Sequence, residues 1–198
     1  MAPKFLMRNI REPLPGKGFE VVDAVLEARK NSQLQSGVSM SIFSPIPRVI
    51  TSTPFDDMAS IEPIVEGVMS SPERQAAFEA TNALCRSTRI TLSRIIAPPE
   101  GLENAKWLQR YVFHHDTHSR RQLVAALQEF REHSEGKKMS ITASLAGPVV
   151  ISTLAAESLS EIEDAGDRLQ NDPGTQARAA AILTATTDWS SGIAKVMT

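Results

Sequence analysis

An α+β fold of two tandem ferredoxin-like units, each running strand-helix-strand-strand-helix-strand, follows from three features of this 198-residue chain. The first is self-similarity. Arg48 to Ile96 aligns without a gap on Val149 to Met197, at an offset of 101 residues. Val49-Ile50 falls on Val150-Ile151, Ile61-Glu62 on Ile162-Glu163, Pro72 on Pro173 and Gln75-Ala76 on Gln176-Ala177. Identities are few, and the apolar pattern carries the alignment, as it does in repeat proteins generally. The second is apolar spacing that switches between strand and helix periods. The third is Pro/Gly punctuation between the periodic segments. The copies are set at residues 1–97 and 105–198, with a connector over 98–104 containing Pro98, Pro99 and Gly101.

Taken in order, Lys4 to Arg11 alternates, with Phe5, Met7 and Asn9 on one side and Leu6, Arg8 and Ile10 on the other. That is a strand. Pro13, Pro15 and Gly16 then force a loop. Over Gly18–Lys30, Phe19, Val22 and Leu26 recur at helical spacing, flanked by Val21, Val25 and Ala28. Val38, Met40 and Ile42 alternate with serines, Pro45 and Pro47 turn the chain, and Val49–Thr53 returns as a strand. Asp56 or Asp57 is placed to cap a helix lined by Met58, Ile61, Ile64, Val65 and Val68. Ser70 or Ser71 starts another, with Pro72 at the first position, where a missing N–H costs nothing. Thr88, Ile90 and Leu92 resume the strand period.

The second copy repeats this order. Trp107–His114 is a strand, and Asp116 or Thr117 caps a helix with a Leu123, Val124, Leu127, Phe130 stripe. Met139, Ile141 and Ala143 alternate, Gly147-Pro148 turns, and Val149–Thr153 returns. Ser158 with Glu161 reads as a capping box, Asn171-Asp172-Pro173 starts the next helix, and Trp189, Ser191 and Ile193 open the last strand. A ferredoxin-like unit covers one sheet face with helices. The other face is expected to carry Phe5, Met7, Ile10, Trp107, Tyr111 and Phe113, too much apolar surface to leave wet. Burying two such faces against each other yields a pseudo-twofold, barrel-like pseudo-dimer within one chain.

Composition excludes several function classes. A net charge of −2 supplies no field for nucleic acid or an anionic membrane. No apolar run reaches the ~18 residues of a membrane helix, and the N-terminus lacks a signal-peptide core. The one cysteine, Cys85, forbids an internal disulfide and fits a reducing, cytoplasmic setting. There is no phosphate-binding glycine loop, no Gly-x-Ser-x-Gly and no paired cysteines.

Arg8 to Lys17, RNIREPLPGK, resembles the strand-then-PGK start of NIPSNAP-type domains. Phe55-Asp56-Asp57-Met58 is similar to their aromatic-Asp-Asp-Leu helix start, Ser71 to Phe78 to their DPxWQxF segment, and Ser87 to Ile96 to their closing strand. The resemblance covers nearly all of the first copy. The second lacks the PGK loop and is assigned by the internal repeat. The resemblance implies the dimeric α/β-barrel superfamily, which includes haem-degrading and cofactor-free monooxygenases as well as members without known activity. Haem-degrading relatives use a first-strand asparagine, matched by Asn9, together with a tryptophan and a histidine. The first copy contains no histidine, and no cofactor is expected.

Within the sequence, the expected site lies between sheet and helices. Asn9 and Tyr111 are its catalytic candidates, Tyr111 as an acid or base. Arg11 and Gln109 add polar groups, and Trp107, Phe113 and Trp189 form walls. The ligand is a small apolar or aromatic molecule, with monooxygenase-like activity implied by the superfamily. The alternative is a non-catalytic structural or interaction module in which these residues fill a core. His114-His115-Asp116-Thr117-His118 is the most metal-like run, but adjacent strand residues point apart, and a solvated loop and helix cap is the preferred reading. A further homodimer is left open.

Overall fold

The computed structural model describes residues 2–30, 32, 34–100, 104–135 and 138–198. Among them the chain is α+β, with its eight strands in the order of an antiparallel ferredoxin-like α/β barrel. Among the described residues no helix is long and apolar enough to cross a membrane. Gly101, in the expected connector, lies outside the described residues. The chain divides into two units, Met1–Ser93 with Val196–Thr198, and Arg94–Lys195.

The first unit is built from β1 (Phe5–Pro13), α1 (Gly18–Lys30), β2 (Gly37–Ser41), β3 (Val49–Phe55), α2 (Glu62–Ser70), α3 (Pro72–Ala83) and most of β4 (Cys85–Ala97). β1 and β2 flank β3 in antiparallel register, with Asn9 opposite Thr51 and Arg11 opposite Val49. The turn after β1 uses Gly16 at φ +79°, a conformation that a side chain would strain. α1 buries Val21, Val22 and Val25 against Val38, Met40 and Val49. Its apolar face is therefore centred one residue away from the expected stripe, and Phe19 is left exposed. A second cluster joins Phe5, Phe55 and Ile61, with Met7, Ile64 and Leu92 packed beside it.

α2 departs from expectation. None of its residues is buried, and Met58 and Val65 of the expected core face are exposed. Asp57 does not cap the helix either. Its carboxylate accepts the Ser60 N–H at 2.8 Å and closes the turn before it. Ser71 caps α3 as the sequence indicates, accepting the Arg74 N–H at 3.3 Å with Pro72 following.

The second unit holds the end of β4, then β5 (Trp107–His114), α4 (Arg120–Phe130) with a π-helical turn over Arg131–Glu135, β6 (Met139–Ser144), β7 (Val149–Ala156), α5 (Leu159–Asn171), α6 (Pro173–Thr184) and nearly all of β8 (Asp188–Met197). β5 lies between β7 and β8, and β6 pairs with the other edge of β7. Leu123, Leu127, Met139, Ile141, Ala143 and Val150 are fully or almost fully buried in one core with Phe113 and Ile182. Ser158 and Asp172 cap α5 and α6 through the N–H groups of Glu161 and Thr175.

Several of the apolar residues expected on the far face of the sheets lie under the helices instead, while Ile10 keeps the expected face. Tyr111 and Phe113 lie under the helices with Leu123 and Leu127, and Phe5 and Met7 pack with Ile61 and Ile64. The opposite face mixes polar and apolar groups: Arg8, Ser39, Thr142 and Thr153 are buried there together with Ile10 and Ile50. Arg110, opposite Thr153, shares it, and burial pushes its guanidinium down to about 10. The reason is strand parity. Once Val150 and Ile141 are committed to the helices, the odd-numbered residues of β5 must follow them, and the even-numbered ones face away.

Candidate functional site

The helix-facing side of the second unit's sheet encloses a cavity of about 140 Å³. Its floor is β5 and its neighbours. Gln109, Tyr111 and Phe113 project from β5 at two-residue spacing. Ser152 and Leu154 sit opposite Tyr111 and Gln109 on β7. Trp189, opposite Phe113 on β8, supplies a side wall. The roof comes from the helices, with Leu127 and Phe130 from α4, Ala165 and Leu169 from α5, and Ile182 and Leu183 from α6. Trp189 and Leu183 are each about half exposed and mark the rim.

The aromatic corner is ordered. The Tyr111 and Phe113 rings stack at 6.2 Å and 13°, and Trp189 tilts on Tyr111 at 6.4 Å and 36°. Such pairs hold rings more firmly than area burial alone does. Among the described residues no charged side chain lines the cavity, and the polar side-chain groups there are those of Gln109, Tyr111, Ser152 and the Trp189 indole N–H.

The structure therefore gathers Gln109, Tyr111, Phe113 and Trp189 around one space. Trp107 is on the same strand but does not line the cavity; Lys195, its cross-strand partner, places Nζ 4.4 Å from its ring centroid. Asn9 and Arg11 belong to the first unit and are also outside the lining. Ser152 and the helix residues Leu127, Phe130, Leu169 and Ile182 line the cavity without having been singled out as site residues. For the helix residues the sequence signal was only an apolar stripe, which reads the same for a filled core and a hollow one.

The histidine run forms the turn before α4, whose N-cap is Ser119 and not Asp116 or Thr117 as expected. Asp116 accepts the N–H groups of His118 and Ser119, both at 2.8 Å, ahead of Arg120. His115 is buried, and its Nδ1 donates to the Asp116 carbonyl at 2.7 Å. Among the described residues no three His, Cys, Asp or Glu side chains are grouped to hold a metal. Among the described residues the lining offers a haem iron no imidazole and no thiolate.

No family model and no curated protein matches the chain. Solved structures do. An anthrone oxidase-like protein superposes over 100% of this chain and 94% of its own, with a TM-score of 0.76 at 12% identity. A provisionally assigned monooxygenase from Fusobacterium nucleatum gives 0.73 at 5% identity over 100% and 94%. An uncharacterised ferredoxin-fold protein from Listeria monocytogenes, related to antibiotic biosynthesis monooxygenases, gives 0.57 at 7% identity over 98% and 96%. The likeness is one of fold. It leaves the chain's chemistry to its own residues.

Proposed function

We propose that the chain binds a small, uncharged aromatic molecule in the second unit, between sheet and helices. The observation that carries this is the cavity itself. At about 140 Å³ it is close to the roughly 150 Å³ at which an apolar protein cavity takes up benzene. Its lining is apolar except for a polar group on the floor at Gln109, Tyr111 and Ser152, so a ring with one hydroxyl or carbonyl is the matching shape. The fold neighbour's name does not transfer to this chain.

Monooxygenase-like activity is the finer reading. Oxygenation without a cofactor needs a substrate that forms a delocalised carbanion. Tyr111 is the only titratable side chain in the lining. Its phenol O–H can donate a hydrogen bond. It would hold a developing oxyanion rather than abstract the first proton. Binding is therefore supported better than turnover.

The finer kinship is also a proposal: two NIPSNAP-like tandem copies, over 1–97 and 105–198, joined by 98–104, in a cytoplasmic protein. Its support is matching register. Asn9 faces Thr51 in the first unit as Tyr111 faces Ser152 in the second, and Arg11 faces Val49 as Phe113 faces Val150.

Calorimetric titration with phenol tests the binding reading. Saturable binding to the wild type, lost in an Ala165→Phe variant that fills the cavity, is the expected result. No heat up to the solubility of phenol would instead favour the structural module.

A further inference from the structure

On the floor of the second unit's cavity, Gln109 is flanked across the sheet by Leu154 on one side and Ile193 on the other. Neither neighbouring strand therefore sets a polar side chain in register with its carboxamide. Ser152, diagonal to Gln109 on β7, is 2% exposed and stands between Tyr111 and Ile141. Diagonal cross-strand neighbours are close enough for their side chains to share one ligand. Among the described residues neither the Gln109 carboxamide nor the Ser152 hydroxyl makes a hydrogen bond within the protein. Polar groups enclosed by protein are nearly always paired. Here two unpaired ones line the same apolar space.

The chemistry of these two groups narrows what would satisfy them. A carboxamide presents an N–H donor and a C=O acceptor side by side in one plane. Its complement is the same pair in reverse order, a cis amide, which a ring fixes as a lactam. A carboxylic acid offers that pair only while protonated. Its anion would enter a lining without a charged side chain among the described residues, which is costly. The walls favour a flat π-system, since Tyr111 stacks on Phe113 and Trp189 tilts on Tyr111.

We propose, resting on the reading of this cavity as a binding site, that its ligand is an aromatic lactam. The ring N–H donates to Gln109 Oε1. The lactam carbonyl accepts from Gln109 Nε2 and, through its second lone pair, from the Ser152 hydroxyl. The ring itself lies among Tyr111, Phe113 and Trp189. Gln109 is then the residue that sets specificity, because a ligand lacking the adjacent pair leaves one end of the amide unpaired.

Two isomers of one size test this. In 2-pyridone the N–H and C=O are adjacent; in 4-pyridone they lie across the ring. In calorimetric titrations of the full chain, 2-pyridone should bind saturably and about tenfold or more tighter than 4-pyridone. Gln109→Leu should lose most of that preference, with Gln109→Met taking its place should the leucine variant fail to fold. Ser152→Ala should weaken 2-pyridone by about 2–10-fold. Equal affinities of the two isomers, or a preference that survives in the Gln109 variant, overturn the proposal while phenol binding still stands. No saturable heat with phenol or with either pyridone overturns the cavity reading along with it.

Discussion

Tyr111 combines a wall and a polar handle in one side chain. Its ring stacks on Phe113 and meets Trp189 at a tilt, so Tyr111→Phe should keep the cavity's shape. Removing the hydroxyl should weaken phenol binding by about 2–10-fold, the worth of one net hydrogen bond, with little change in toluene binding, both read by calorimetry. A second single-residue effect is set by pH. The Asp172 carboxylate is held below its ordinary value, first by the Thr175 hydroxyl and then by the Thr175 N–H. A depressed carboxylate stabilises the fold above the unfolded pKa near ~3.9 and loses that contribution as pH falls through its folded value. The melting-temperature gap between wild type and Asp172→Ala should thus be open at pH 7 and shrink as pH drops below about 4. A gap that does not change with pH would contradict the assigned cap.

Among the elements, helices that look alike in sequence differ in what they bury. α4 buries Leu123 and Leu127 completely, whereas α2 buries nothing. Leu127→Ala should cost about 2–5 kcal/mol by urea unfolding. Val65→Ser, on an apolar but exposed position of α2, should stay within about 0.5 kcal/mol. Amide exchange should rank α4 as better protected than α2. The strands, α1 and the caps at Ser71, Ser158 and Asp172 were legible because period, proline and short polar side chains act locally. The exposure of α2 was not, because amphipathic spacing says which residues share a face and not whether anything covers it.

Taken together, the two units share an order of elements. Each also takes in the end of a strand from the far side of the division. Ala97, at the end of β4, is buried in the second unit's core, and Met197, at the end of β8, packs on the first unit's Val21–Val49 cluster. Met197→Ala should therefore loosen the first unit. We expect a loss of about 1–2 kcal/mol, because the side chain is only partly buried, with faster amide exchange in α1 and β2 and none gained in α4. The self-similarity at an offset of 101 residues made the repeated order readable. It could not reveal which sheet face meets the helices, since parity is set by packing partners distant in sequence. Nor could it reveal the cavity. Tyr111, Gln109, Phe113 and Trp189 were recognisable as a polar and aromatic set, but a hollow between them depends on how far α4, α5 and α6 stand from the sheet.

Methyl-detected NMR during a phenol titration would decide whether that hollow is a binding site. The shifts should move saturably for Leu127, Leu154, Leu169, Ile182 and Leu183, and stay fixed for Val21 and Val38 in the first unit. Shifts that never saturate, or that appear only at exposed methyls away from the cavity, would contradict a site between sheet and helices.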